Sequence, residues 1–289
     1  MKSILIVGCG DVATRVIPLL ASRYKTYALV RKSADFGKLR ALGVIPLLGD
    51  LDVRQSLVRI RGLSDIVLHL APPPNSGVPD TRTRNLLSVL SHGRPPGQLI
   101  YISTSGVYGD CGGNWVSESH PLNSSSARSK RRVDAEKQIR GWARRNRVRA
   151  SILRVPGIYA ADRLPLSRLR QGTPAIVESE DSYTNHIHAD DLANIIVGVL
   201  RYGRACRVYH TCDDSQLKMG EYFDAVADTY GLPRVPRISR GEAQHVLPEA
   251  LLTFMNESRR LTNLRMKREL HVELRYPTVN DFLAGAGRI

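Results

Sequence analysis

The chain has 289 residues, 42% hydrophobic and 24% charged, which is enough to bury a sizeable core and too ordinary in composition for a fibrous or disordered protein. Its 42 lysines and arginines against 27 acids leave a formal charge of +15, which favours anionic partners; the charges are spread along the chain rather than clustered, so nucleic acid is not expected among them. Cys9, Cys111, Cys206 and Cys212 have neither metal-ligand spacing nor a disulfide pattern, and no stretch reaches the ~20 apolar residues that span a bilayer, so the expectation is free thiols, no metal, no membrane and a reducing, cytoplasmic setting.

From the N-terminus, residues 3–8, 27–31, 43–50, 65–71 and 98–104 are short, nearly continuous apolar runs, the pattern of strands covered on both faces. Helical spacing fills the intervals at residues 12–23, around Leu39, at 53–61 and at 81–90, and Pro18 is expected to kink the first of these. Residues 129–145 predict a long basic helix and 149–159 a sixth strand. Strand and helix alternating in this way predict an α/β fold, a Rossmann-type parallel sheet flanked by helices. Beyond it, 160–185 reads as loop, 191–202 as helix, 206–212 as strand, 219–231 as helix, and 248–269 as one or two further helices. A dinucleotide-binding domain over 1–159 and a smaller, mostly helical substrate lobe over 160–289, sharing some sheet strands, are therefore expected.

The stretch "ILIVGCGDVA" places Gly8, Gly10 and Ala13 between the first strand and the first helix, as G-x-G-x-x-A. The first glycine permits a tight turn, the second lets backbone approach a pyrophosphate, and the alanine allows close packing of helix on strand. Cys9, Asp11 and Val12 complete the turn, whose helix N-terminus favours an anion. At the end of the second strand stand Arg31 and Lys32, with no acid before Asp35, a pattern that suits a 2′-phosphate and predicts NADP over NAD. Asp50 with Leu51 after the third strand, and Leu70, Ala71 and Pro72 at the end of the fourth, continue the same carboxyl edge. Pro156, after the sixth strand, completes the set of expected cofactor-binding residues.

The succession "ILIVGCGDVA", "GDL", "LHLA", "STSGVYG", "LRVPGIY" and "NHIHADDLA" resembles the extended short-chain dehydrogenase/reductase superfamily, specifically the NAD-dependent epimerase/dehydratase family and its atypical members, from Ile4 to about Gly287. The resemblance implies that Thr104, four residues before Tyr108 and flanked by Ser103 and Ser105, presents a hydroxyl to the reacting oxygen. It also implies a Tyr-x-x-x-Lys pair on the following helix, the lysine tuning the phenol for proton exchange. Here Lys130 has Ser126 at the tyrosine offset, and Lys137 has Val133. Registering the helix on Glu136 instead puts Arg132 at the lysine position and Arg128 at the tyrosine position. No register supplies a tyrosine. A Ser126/Lys130 pair is a poorer proton donor, although Lys130 can still meet the nicotinamide ribose.

Tyr108 is placed by the resemblance near the substrate cleft, as are Tyr159, His186 and His188, and any of these is a candidate proton donor. Asp190 or Asp191 is expected to cap the helix that follows. Arg163, Arg168 and Arg170 lie where relatives meet substrate. The expected function is an NADP-dependent oxidoreductase or epimerase-like protein, a monomer or homodimer, acting on an unidentified small substrate that is anionic or carbonyl-bearing. The alternative is a catalytically degenerate dinucleotide-binding sensor.

Overall fold

In the computed structural model, which describes residues 1–286, the chain begins with β1 (Lys2–Val7), α1 (Asp11–Leu20), β2 (Tyr24–Val30), α2 (Phe36–Ala41), β3 (Ile45–Leu48), β4 (Ile66–His69), α3 (Thr81–Leu90) and β5 (Gln98–Thr104). The short β6 (Trp115–Val116) is followed by α4 (Ala127–Asn146), β7 (Arg149–Val155) and β8 (Gly157–Tyr159). Then come α5 (Leu166–Arg170), β9 (Ala175–Ile176), β10 (His186–His188), α6 (Ala189–Tyr202) and β11 (Arg207–His210). The chain closes with α7 (Met219–Thr229), β12 (Arg237–Ile238), α8 (Arg240–Val246), α9 (Glu249–Met255), β13 (Arg260–Leu261), α10 (Leu264–Leu270) and α11 (Val279–Ala286). Residues 287–289, the end of the expected substrate lobe, lie outside the described residues.

Seven strands form one parallel sheet in the order β11-β7-β5-β4-β1-β2-β3, with the direction of progression reversing between β1 and β4. Both faces are covered, which is why the strands read as unbroken apolar runs. Along β1, Ile4 and Ile6 pack with Val16, Ile17 and Leu20 of α1 and Ile195, Ile196 and Val199 of α6. Leu5 and Val7 point the other way, into Leu86, Leu87 and Leu90 of α3 and Ala135, Ile139 and Trp142 of α4. The second half of the chain thus contributes α6 to one layer and β11 to the sheet edge. A separate apolar cluster, built on Tyr159, Leu169, Phe223, Val226, Val279 and Phe282, joins β8, α5, α7 and α11.

Three local expectations change. Residues 149–159 are two strands, because Pro156 has no N–H to extend the ladder; β8 leaves the sheet and pairs with β10. Residues 54–60 form 3₁₀ turns instead of an α-helix, burying Leu57 and Ile60 at the three-residue spacing of that geometry. The segment 160–185 includes α5 and β9. Pro18 lies within α1. Among the described residues no helix is long and apolar enough to cross a membrane.

Candidate functional site

The turn between β1 and α1 lies at the point where strand order reverses, the place where open α/β sheets take ligands. Gly8 has φ +98°, and a Cβ there would stand 2.5 Å from the Ala71 amide nitrogen, so only glycine fits between β1 and β4. At Gly10 a Cβ would meet nothing within 4 Å, and the backbone faces open space. Behind the turn Ala13 is buried in the α1 face of the core, with Val12 half-buried beside it. A cavity of about 480 Å³ opens over the turn, lined by Gly8, Cys9, Gly10, Arg31, Lys32, Asp50, Leu51, Leu70, Ala71 and Pro72. The expected cofactor residues from the first four strands are thus brought together, apart from Asp11, Val12 and Ala13.

Asp11 is engaged elsewhere: its carboxylate accepts from Arg15 at 3.0 Å and Arg163 at 2.8 Å. Arg15 also reaches Asp190 at 2.7 Å, so this cluster ties α1 to α6 and to the segment before α5. The Cys9 thiol is pushed up to about 12 by burial, with Asp35 adding to the shift, and is no thiolate at neutral pH. One residue missed in the sequence is Arg82, also in the cavity lining. It grips both oxygens of Asp52, at 2.8 and 2.7 Å, and donates to the Pro72 carbonyl at 3.3 Å, bracing the loop after β4.

At the end of β5 the Thr104 side chain is half-buried and its hydroxyl accepts from Gly106 N–H at 3.3 Å. Its neighbours do other work. Ser103 donates to Glu136 Oε1 at 2.6 Å, and Glu136, 1% exposed, receives Arg154 Nη2 at 2.7 Å. Tyr108 is fully buried: its phenol receives Arg154 Nη1 at 2.6 Å and lies 2.5 Å from His210 Nε2. His210 Nδ1 lies 2.9 Å from the Thr262 carbonyl and so carries the proton of the neutral ring, leaving Nε2 to accept from the phenol. Burial pushes the phenol up to about 12. Ser103 and Tyr108, expected at the cleft, are instead parts of a buried network under it.

The start of α4 is corrected in the same way. Ser126 is the N-cap, accepting from Ser129 N–H at 3.2 Å, and Lys130 is exposed rather than turned toward the sheet. The buried face of the helix runs through Arg132 and Glu136, which is the register set by Glu136. In that register Arg132 occupies the lysine position; its Nη1 donates to the Tyr101 hydroxyl at 3.0 Å and the Ile102 carbonyl at 2.5 Å. Arg128 stands one turn earlier. Pro156 is half-buried where β7 gives way to β8.

The remaining candidates are enclosed, apart from Arg163 and Arg170. Tyr159 is 1% exposed with its phenol pushed far up by burial; its hydroxyl approaches Asp213 without closing a hydrogen bond of normal length. Burial brings His186 down to about 4 and also lowers His188, whose Nδ1 accepts from Asp190 N–H at 3.2 Å and so caps α6. The cap is therefore His188 and neither aspartate: Asp191 is fully buried and accepts from Arg275 and Tyr276 N–H at 2.8 and 3.0 Å. Arg168 packs over the Phe223 ring and burial brings it down to about 10, while Arg170 is exposed.

A second cavity of about 480 Å³ adjoins this region, lined by Asp110, Asn123, Ser125, Ser126, Thr253, Asn256 and Glu257. A Cβ on Gly106 would stand 3.6 Å from Thr104 Oγ1 and 3.7 Å from Glu257 Oε2, so hydroxyl and carboxylate look onto one small space. Glu257 was not legible in the sequence, since it arrives from the loop between α9 and β13.

Residues 4–211 match the NAD dependent epimerase/dehydratase family. Among solved structures, a conserved protein of unknown function from Silicibacter pomeroyi is 27% identical, with TM-score 0.80 over 99% of this chain and 98% of that one. The UDP-glucuronic acid 4-epimerase of Bacillus cereus, in complex with NAD, is 16% identical with TM-score 0.74 over 98% and 99% of the two chains. The dTDP-glucose 4,6-dehydratase DesIV of Streptomyces venezuelae, also with NAD, is 21% identical with TM-score 0.77 over 99% and 96%. No curated protein sequence matches the chain.

Proposed function

The chain belongs to the NAD dependent epimerase/dehydratase family, and from that premise we propose an NAD(P)-dependent oxidoreductase or epimerase-like enzyme that prefers NADP and acts on a hydroxyl-bearing small molecule such as a nucleotide sugar. The observation that carries the reading is the Gly8 to Gly10 turn, tight at the first glycine and open at the second, set in the cavity at the switch point. Residues 1–159 would hold the dinucleotide and the lobe from 160 onward the substrate. A bound dinucleotide supplies a hydride acceptor or donor; the chain supplies position and proton handling. Gly10 leaves space for a diphosphate, and Arg31 and Lys32 carry the charge for a 2′-phosphate at the cavity rim. The Thr104 hydroxyl, accepting from Gly106 N–H, keeps its own hydrogen to donate to a substrate oxygen. Two carboxylates, two amides and three hydroxyls line the second cavity, a donor and acceptor set that suits an uncharged polyhydroxyl group.

Calorimetric titration tests the cofactor reading. NADP+ should bind more tightly than NAD+, and Arg31→Ala with Lys32→Ala should erase the difference while leaving NAD+ affinity within about threefold, in keeping with the loss of charge-assisted contacts to one phosphate. Equal affinities in the wild-type chain would sink the preference. A second reading, a dinucleotide-binding sensor without turnover, is favoured by one observation: arginines stand where the tyrosine and lysine of relatives do. It requires that bound NADPH is never oxidised by any of a panel of nucleotide sugars, aldehydes and quinones.

A further inference from the structure

We propose that Glu257, a residue of the loop between α9 and β13, is the proton acceptor opposite Thr104, taking the place of the phenol that α4 lacks; the proposal rests on the enzymatic reading above. The carboxylate and the Thr104 hydroxyl converge over Gly106, where the absence of a side chain leaves room for a reacting group: Thr104 Oγ1 and Glu257 Oε2 lie 3.6 and 3.7 Å from the point a Cβ would occupy. Glu257 lines the second cavity, and Thr104, half-buried, stands on the other side of Gly106 from it.

The position of Glu257 is fixed by backbone, not by chance packing. Ser258 N–H donates to Asp110 Oδ1 at 2.8 Å, and the Ser258 carbonyl accepts from Cys111 and Gly113 N–H, each at 3.0 Å. Immediately beyond, β13 pairs with β6, Arg260 against Trp115 and Leu261 against Val116. Arg259 clamps the same loop, donating to the Gly109 carbonyl at 2.6 Å and to Glu257 Oε2 at 2.9 Å. Gly109 itself has φ +66°, and a Cβ there would stand 2.1 Å from the Asn123 carbonyl oxygen, so only glycine lets the two segments approach this closely. The segment carrying Glu257 is thereby stitched to the loop that carries Thr104, with a rigidity suited to general-base work.

Glu257 Oε2 is shared between Arg259, at 2.9 Å, and the space over Gly106, whereas the other acids and phenols of the region face structural partners. Asp110 accepts from Ser258 and Gly112 N–H, Glu136 holds Arg154 and Ser103, and Tyr108 is sealed beneath the sheet edge. A bound oxidised dinucleotide would supply the acceptor for the carbon-bound hydrogen and its electron pair, and Glu257 would take the hydroxyl proton as the alcohol became a carbonyl, ending protonated. Thr104 donates to the oxygen throughout.

The test uses the full chain, NADP+, UDP-glucose and UDP. For Glu257→Gln, NADP+ and UDP affinities by calorimetry should match wild type, while the extra affinity of UDP-glucose over UDP falls about 10-fold, since a charge-assisted hydrogen bond to the sugar is lost. Single-turnover reduction at 340 nm should fall on the order of 10²–10⁴-fold, the usual worth of a general base. Glu257→Asp should recover part of that rate with a displaced pH profile. Wild-type turnover in Glu257→Gln, or an unchanged UDP-glucose increment, would overturn the proposal while leaving the enzymatic reading standing. Loss of NADP+ and UDP binding together in that variant would also overturn it, by making Glu257 a structural residue. If the wild-type chain binds NADP+ yet turns over neither UDP-glucose nor any member of the panel of nucleotide sugars, aldehydes and quinones, the enzymatic reading fails and takes the proposal with it.

Discussion

The two glycines of the first turn should fail in different ways when replaced by alanine. At Gly8 the added methyl would stand 2.5 Å from Ala71 N, 2.6 Å from Ala71 Cα and 2.9 Å from the Leu70 carbonyl carbon, all backbone atoms of the strand end beside β1. The same residue has φ +98°, a conformation an L side chain adopts at a cost of roughly 1–3 kcal/mol. To relieve the clash β1 and β4 must part, which disturbs the ladder joining Val7 to His69 and the bonds from Leu70 and Ala71 N–H to the Val7 carbonyl, at 2.8 and 2.9 Å. Strain and lost packing together put Gly8→Ala at about 3 kcal/mol or more. At Gly10, with φ −85° and nothing within 4 Å of a Cβ, alanine should change stability by less than about 1 kcal/mol. Its methyl does, however, enter the space over the turn, so NADP+ affinity should drop about 10-fold or more, the cost of lost close contact to a phosphate. Urea unfolding and calorimetric titration of both variants measure the two effects. An unstable Gly8→Ala beside a stable, binding-defective Gly10→Ala is the expected pair of results; wild-type affinity in Gly10→Ala would refute the assignment of that space to a ligand.

Glu136→Ala should cost about 3–5 kcal/mol in urea unfolding, because it strands the buried Arg154 guanidinium, and Glu136→Gln should recover part of it. Tyr108→Phe should lower stability by about 1–3 kcal/mol through the acceptor taken from Arg154 while leaving NADP+ affinity and any turnover unchanged, whereas a catalytic Tyr108 would lose turnover first. Burial holds His69, His186 and His210 at about 3, 4 and 3, below the unfolded value of 6.5, so the unfolded chain binds protons that the native one refuses and stability falls as pH drops from 6.5 toward 4. Asp213, raised by burial from 3.8 to about 7, acts in the opposite sense, losing stability as pH rises through that window; Asp213→Asn should therefore steepen the acid loss seen in urea midpoints between pH 4 and 6.5.

The parallel sheet was legible because each strand is apolar on both faces, and the turn at Gly8 and Gly10 because its signal is local: strand, two glycines and helix within ten residues. What the sequence could not decide depended on distant partners. Glu136 sets the register of α4 through Ser103, 33 positions away, and Arg154, 18 positions away. With those contacts unseen, Lys130 and Ser126 looked as well placed as Arg132 and Arg128. Tyr108 read as a cleft residue because nothing nearby reveals that His210, 102 positions on, closes over its hydroxyl. Glu257 carried no motif at all. Its place beside Thr104 comes from the pairing of β13 with β6, two-residue strands too short to leave a periodic trace.

The central claim is that the turn at Gly8 and Gly10 takes a dinucleotide and that Arg31 and Lys32 favour the one with a 2′-phosphate. Thermal unfolding of the wild-type chain with each dinucleotide tests it most directly. NADP+ at 100 times its Kd should add about 2.7 kcal/mol of stability, and NAD+ at the same concentration distinctly less. No stabilisation by either dinucleotide would contradict the account.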